Sequence, residues 1–320
     1  MILLNGMNGS SKQTRIFKRK SNLVRNALIA LSVCVSLAAI VFLFYRFIFS
    51  RLPAGAMRSL RKSWQAYDYE SVYETSKGIL NTTPFNNAAL TYHGYAAFYL
   101  GVSSLDKMAE QNYLDEAINS LRLALLDAQN SLKPQLSYML GRAYFYKNTV
   151  SSYYYADLAV KYLERAKTLG YKADDIAEYL GMSYAALGMT MDSISSFTEA
   201  LLVRESDTLL FSIAEQYYKA GQNAAAEQYL FRVIKECDDE NLILKSRMLL
   251  GSIYIAEEKY EDAAKEFAGV LEKNANSADA HYKLGVLYEK QGDMVKARSE
   301  WRTALRIQVN HRGALEKLTD

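Results

Sequence analysis

Two glycines spaced 34 residues apart, Gly251 and Gly285, limit the folds that are open to this chain. Each glycine follows a leucine, precedes a tyrosine by three residues, and lies at the eighth place of a 34-residue unit, 244–277 or 278–311. A repeat of this length is typical of supersecondary units that stack on one another, because one unit alone cannot bury its apolar face. The spacing therefore predicts an array of similar units.

Residue sizes within a unit indicate two antiparallel helices. In the last unit, Gly285 and Ala297 are small and allow the helices to approach closely, while Tyr288 and Trp301 fill the space beside them. Gly292 is expected to end the first helix at the turn. The residues predicted to make this packing along the chain are Gly94, Gly141, Gly181, Gly251, Gly285, Ala263, Ala297 and Trp301.

Weaker copies of the pattern extend upstream. The predicted units are 53–86, which is the most degenerate, then 87–133, 134–173, 174–206, 207–243, 244–277 and 278–311. The second and third units hold extra residues between their helices, around 102–112 and 148–156, which are either tolerated loops or a second binding surface. The chain contains only three prolines, which favours an all-α fold because proline breaks helices.

This spacing and residue pattern resemble the tetratricopeptide repeat (TPR) family, over residues 53–311 and most clearly in the last four units. The resemblance implies an α-solenoid, a right-handed superhelix of helical hairpins that binds proteins or peptides in a concave groove. In this family the first helix of each hairpin lines the groove. Some members clamp the terminal carboxylate of chaperones with an asparagine at the ninth place of a unit. No ninth place here is asparagine, so that ligand is not expected.

When the groove-lining positions of the family are carried over to this sequence, they predict a groove rich in aromatic residues. The candidate partner-binding residues are Tyr95, Phe98, Tyr99, Tyr138, Arg142, Phe145, Tyr146, Phe211 and Tyr218. Tyrosine and arginine are favoured at binding hot spots because they are large, stiff and partly polar. We expect this surface to dock an apolar or aromatic segment of a partner. The alternative is that these rings pack between neighbouring repeats.

An apolar segment near the N-terminus is predicted to span a membrane. The 19 residues from Ala27 to Tyr45 carry no charge, and as a helix they would span about 28 Å, close to the thickness of the hydrocarbon core. A signal peptide cleaved near residues 54–56 and a lipoprotein signal ending at Cys34 are alternatives. A slight excess of basic residues before the segment favours a bacterial inner-membrane protein with periplasmic repeats.

The predicted organisation is a basic tail over 1–25, a transmembrane helix over 26–49, a short linker over 50–57, the solenoid over 58–311 and a partial capping helix over 312–320. Charge follows this division. The first 62 residues contain eleven basic residues and no acidic one, so the remainder, with 27 basic and 35 acidic residues, has a net charge of −8. Nucleic acid is therefore not an expected partner, since phosphate binding requires clustered cations.

Motifs of catalysis are missing from the sequence. It contains no GxxxxGK[ST], HExxH, GxGxxG or GxSxG pattern, and its three histidines lie in different units. We therefore expect no enzyme activity, cofactor, metal site or small-molecule substrate. The predicted function is a membrane-anchored scaffold for protein–protein interaction. The alternative is a chaperone-like accessory factor of protein export or envelope assembly that holds client segments near the membrane.

Overall fold

A computed structural model describes residues 27–29, 31–43 and 53–319, and every regular element in these ranges is a helix. The expected all-α stack of TPR-like hairpins is confirmed. Residues 27–29 and 31–43 are helical. The predicted basic tail over 1–25, and residues 26, 30 and 44–49 of the predicted transmembrane helix, lie outside the described residues. Among the described residues, no helix combines the length and the apolar character that crossing a bilayer requires.

The chain divides into two compact units, residues 1–84 and 85–320. The described part of the first contains one helical hairpin, formed by α1 (Pro53–Gln65) and α2 (Tyr69–Thr82). Helix α1 already includes residues 53–57, so the predicted linker over 50–57 is wrong for its last five residues, which are helical. The predicted start of the solenoid at residue 58 accordingly falls inside a helix.

The second unit contains six hairpins and a final single helix in its described part. Its helices are α3 (Asn87–Ser103), α4 (Lys107–Leu126), α5 (Lys133–Val150), α6 (Ala156–Thr168), α7 (Ile176–Ala186), α8 (Thr190–Val203), α9 (Asp207–Lys219), α10 (Asn223–Glu236), α11 (Glu240–Ala256), α12 (Tyr260–Lys273), α13 (Ala278–Lys290), α14 (Met294–Ile307) and α15 (Arg312–Thr319). Odd-numbered members from α3 to α13 are the first helices of their hairpins.

Short polar residues begin several helices, and glycines end several others. Asn86 caps α3, and its side chain accepts a hydrogen bond from the Ala89 backbone N–H at 3.0 Å. The turn after α13 contains Gly292 at φ +83°, in the left-handed region that glycine enters without steric cost. Glu258 occupies the corresponding turn after α11 at φ +61°. The turn geometry therefore persists where the sequence has no glycine.

The extra residues of the second and third units mostly lengthen helices. Only residues 104–106 connect α3 to α4, so the expectation of an inserted loop around 102–112 is wrong. Residues 151–155 connect α5 to α6 and expose Tyr153 and Tyr154. The predicted boundary at 243/244 is also late, because α11 begins at Glu240.

Close contact between the two helices of a hairpin depends on the predicted glycines. A Cβ added at Gly285 would lie within 3 Å of the Trp301 indole, which is fully buried. Added Cβ atoms at Gly94, Gly141, Gly181 and Gly251 would collide in the same way with Leu121, Leu163, Phe197 and Phe267. Ala263 and Ala297 are fully buried in the second helices of their hairpins. Each of these five hairpins thus fits a large side chain against bare backbone.

Neighbouring hairpins of the second unit also stack through their first helices. Helix α5 packs against α3 on one side and α7 on the other, and α11 packs against α9 and α13. We call the surface that these helices share the first-helix face. It holds most of the predicted groove residues.

Candidate functional site

Arg142 lies at the centre of a cluster of aromatic rings on the first-helix face. Its guanidinium carbon is 4.9 Å from the ring centroid of Phe98, 5.5 Å from that of Tyr138 and 5.4 Å from that of Tyr179. These residues come from three successive first helices, α3, α5 and α7. At these distances the guanidinium is attracted by the negative faces of the rings. One cation therefore connects three hairpins.

Further rings extend this group into what we call the Arg142 cluster: Phe98, Tyr138, Arg142, Phe145, Tyr146 and Tyr179. The Tyr146 ring meets the edge of Phe98 at 5.7 Å, and Phe145 meets that of Tyr179 at 5.0 Å, both between centroids. The hydroxyls of Tyr146 and Tyr179 share a hydrogen bond of 3.2 Å. Edge-to-face contacts of this kind hold the rings in defined orientations.

Burial divides the predicted groove residues of this region into two groups. Tyr95, Phe98 and Tyr138 are buried, so their rings fill space between hairpins. Tyr99, Arg142, Phe145 and Tyr146 are half-buried and keep part of their surface accessible. The second group is therefore the part of the predicted set that a partner can touch.

Tyr138 is fixed by two residues of the connection between α6 and α7. Its hydroxyl donates a 2.6 Å hydrogen bond to Oδ1 of Asp175, and its ring centroid lies 4.7 Å from that of Tyr171. Burial, followed by the hydrogen bond to Asp175, raises the pKa of Tyr138. The phenol therefore stays protonated and serves as a donor.

The Arg142 guanidinium has unused hydrogen-bonding capacity. Its Nε is buried, and in the described part of the chain it has no hydrogen-bond partner. A buried donor without an acceptor costs roughly 1–3 kcal/mol. The side chain as a whole is half-buried, so a carbonyl or carboxylate oxygen of a bound segment can meet only the accessible part of the guanidinium.

Tyr179 belongs to the site although the sequence comparison did not select it. It lies at the sixth place of its unit, next to the fifth place that the family pattern indicates. Tyr179 could have been found from the sequence as an aromatic residue that directly follows Glu178, the residue at the fifth place.

Phe211 and Tyr218 lie apart from the Arg142 cluster, on α9. Both pack, partly buried, against a core group that includes Ala214, Leu230 and Leu250. Phe211 also lines a second groove of about 780 Å³, together with Glu215, Met248, Tyr282 and Lys283. Burial raises the pKa of Glu215 and lowers that of Lys283. The predicted groove residues therefore form two separate surfaces.

Metal-binding groups do not assemble in the ranges that the structure covers: no three His, Cys, Asp or Glu side chains there could hold an ion together. His93 pairs with Glu116 at 3.3 Å, His281 with Glu300 at 2.6 Å, and His311 with Asp279 at 3.0 Å. Each histidine thus pairs with a different carboxylate, and the three pairs lie in different parts of the sequence.

Comparison with known sequences matches one segment of the chain to a family model and finds one relative that is similar over part of its length. Residues 248–308 match the family model described as tetratricopeptide repeat. Over 141 residues the chain is 30% identical to the anaphase-promoting complex subunit CDC16 of Saccharomyces cerevisiae. That match covers 42% of this chain and 17% of the yeast protein, so the chain spans about a sixth of its relative.

One solved structure extends the likeness of fold beyond that segment. The C-terminal part of a TPR repeat-containing protein from Cytophaga hutchinsonii covers 82% of this chain and 98% of its own, with 13% identity and a TM-score of 0.57. YrrB, described as a TPR protein with an unusual peptide-binding site, covers 64% of this chain and 100% of its own, with 21% identity and a TM-score of 0.47. The family match thus applies to residues 248–308, and the Cytophaga structure shows that a similar fold extends over most of the chain.

Proposed function

We propose that this chain is a membrane-anchored scaffold that binds a protein partner through the first-helix face at the Arg142 cluster. TPR proteins generally mediate protein–protein or peptide interactions, and their fold is typically a non-enzymatic scaffold. We propose the same interaction role for this chain, and we propose that it has no catalytic activity, cofactor or small-molecule substrate.

The observation that carries the proposal is the half-buried guanidinium of Arg142, which lies over the rings of Phe98, Tyr138 and Tyr179 and keeps part of its surface accessible. Phe145 and Tyr146 of the same cluster are half-buried, and half-buried Tyr99 lies against Phe98 with 5.3 Å between the ring centroids. Aromatic and arginine side chains are the residues most often found at binding hot spots. The ligand that fits is an extended or helical segment with an aromatic or apolar side chain next to a free carbonyl or carboxylate.

Membrane anchoring is the second part of the proposal and is supported by the sequence. The uncharged stretch from Ala27 to Tyr45 is flanked by arginines at positions 25 and 46. Such residues reach toward lipid head groups from the ends of a transmembrane helix. We place the repeats on the periplasmic side of a bacterial inner membrane, close to the bilayer. Retention of the full chain in membranes washed with carbonate is the expected result, and its release would contradict the anchor.

Partner binding is tested by crosslinking in intact membranes followed by purification of the full chain. Arg142→Met keeps an unbranched side chain against the rings but removes every donor. Arg298→Met makes the same change at an exposed arginine on α14. We expect the wild type and Arg298→Met to capture the same partner, and Arg142→Met to capture at least tenfold less.

Folding is measured on the same variants, because lost binding means little in an unfolded chain. A volume-conserving change should alter the unfolding free energy by less than about 1.5 kcal/mol. Equal capture by the wild type and a folded Arg142→Met would contradict the site. Capture of many clients that apolar peptides release would instead favour the chaperone-like accessory role.

A further inference from the structure

A cleft of about 580 Å³ lies on the second and third hairpins and shares no lining residue with the Arg142 cluster. It is lined by the second helices α4 and α6 and by the first residue of α5. Three of its lining side chains are cations: Arg122, Lys133 and Arg165. None of the lining residues is acidic.

The three cations lack the ion pairs that their neighbours have. Within the described residues, Arg122, Lys133 and Arg165 have no carboxylate oxygen within 4.0 Å, and the Nζ of Lys133 donates instead to Oδ1 of Asn130 at 2.9 Å. In the next hairpin, by contrast, Arg204 pairs with Glu178 at 3.2 Å. Like charges that share a cleft repel one another, so an anion bound there would be stabilised by all three.

Apolar side chains lie directly beside these charges. Leu126 is 82% exposed and Leu123 is 42% exposed, and both line the cleft with half-buried Tyr162. Leucines this open to water are not explained by packing in the hairpin. A ligand that matches the cleft therefore has an anionic group next to a hydrocarbon part.

We propose that this cleft binds the head group of an anionic phospholipid, with Arg122, Lys133 and Arg165 around the phosphate and with Leu123 and Leu126 against the first carbons of an acyl chain. Arginine matches phosphate oxygens through two parallel N–H donors. Basic residues near an anionic bilayer each contribute on the order of 1 kcal/mol. The physiological source of the lipid rests on the proposed membrane anchor, which would tether the chain to a bilayer.

A water-soluble lipid separates the cleft from the anchor. The full chain is purified in a neutral detergent and titrated with short-chain phosphatidylglycerol, with phosphatidylcholine of the same chain length, and with inorganic phosphate, by calorimetry. We expect phosphatidylglycerol to bind at least tenfold more tightly than the other two. Because no bilayer is involved, the result does not depend on whether residues 26–49 span a membrane.

Matched double variants locate the binding. Arg122→Gln with Arg165→Gln removes two cleft charges, and Lys235→Gln with Arg298→Gln removes two exposed charges elsewhere. We expect phosphatidylglycerol to bind the cleft variant at least tenfold more weakly than the wild type, and to bind the control variant equally well. Circular dichroism and urea unfolding check that both variants fold.

Three outcomes would overturn the assignment. Equal binding of phosphatidylglycerol to all three proteins would place the lipid elsewhere. Inorganic phosphate that binds as tightly as phosphatidylglycerol would show that the leucines take no part. An acidic peptide that binds through Arg122 and Arg165 while phosphatidylglycerol does not would identify a protein-binding cleft instead.

Discussion

The hydroxyl of Tyr138 donates a 2.6 Å hydrogen bond to Oδ1 of Asp175, which joins α5 to the residue just before α7. Tyr138 is only 6% exposed, and its ring also lies against that of Tyr171. The residue therefore ties the third hairpin to the fourth. Its ring is buried, so a partner would meet the half-buried Tyr146 and Phe145 instead.

Tyr138→Phe is expected to lower the unfolding free energy by about 1–2 kcal/mol, because it leaves the half-buried Asp175 carboxylate without its donor. Urea unfolding of the full chain in detergent, followed by far-ultraviolet circular dichroism, measures the change. Tyr154→Phe is the control, since Tyr154 is exposed and should change stability by less than about 0.5 kcal/mol. Equal stability of the two variants would show that the hydrogen bond contributes nothing.

Gly285→Ala is expected to destabilise the sixth hairpin of the second unit by about 1–3 kcal/mol, because the new methyl group would overlap the buried Trp301 indole. Gly269→Ala is the matched change in α12, where the added Cβ would meet only the end of the Arg247 side chain, at 3.4 Å. There we expect a gain of roughly 0.5–1 kcal/mol, since alanine is the better helix former. Thermal unfolding compares the two, and a loss at both positions would refute the packing argument.

Lys147 and Asp115 form a 2.8 Å ion pair between the second and third hairpins, and its two members differ in exposure. The Lys147 side chain is 5% exposed, whereas that of Asp115 is 57% exposed. Asp115→Asn should cost about 1–3 kcal/mol because it strands a buried ammonium, although nearby water moderates the loss. Lys147→Met should change stability by less than about 1 kcal/mol, since water solvates the remaining carboxylate. Chemical unfolding that ranks the two variants in the opposite order would contradict this account.

Glu215 gives a pH-dependent prediction at the second groove. Burial raises the pKa of its carboxyl, although Lys219 and Lys245 act in the opposite direction. A raised pKa in the folded state means that stability is full at low pH and falls as the pH rises through that pKa. Glu215→Gln should therefore shift the urea midpoint upward at pH 7, and the gain should vanish near pH 4.

The exposed Glu272 on α12 supplies the control for that experiment, since Glu272→Gln removes a charge that water already solvates. We expect its urea midpoint to match the wild type at both pH values. A Glu215→Gln gain that persists at pH 4 would mean that the effect does not come from titration of the carboxyl.

The hairpins and their internal packing could be predicted from residue spacing. Gly285 and Trp301 lie 16 residues apart, and that interval places them opposite each other once the chain forms two helices joined by a tight turn. The same interval separates Gly251 from Phe267. Contacts within one hairpin depend on helical periodicity and on local turn residues, and both can be recognised in a linear sequence.

Contacts between hairpins could not be predicted in the same way. The aromatic residues of α3 and α5 were expected to face a partner together, yet Phe98 and Tyr138 are buried while Tyr146 and Phe145 remain accessible. The three cations of the 580 Å³ cleft, Arg122, Lys133 and Arg165, come from α4, α5 and α6 and share no sequence pattern. Burial and charge pairing at these places depend on how far each helix extends and how it is rotated against the next hairpin. Those quantities emerge only when side chains from distant parts of the chain are packed together.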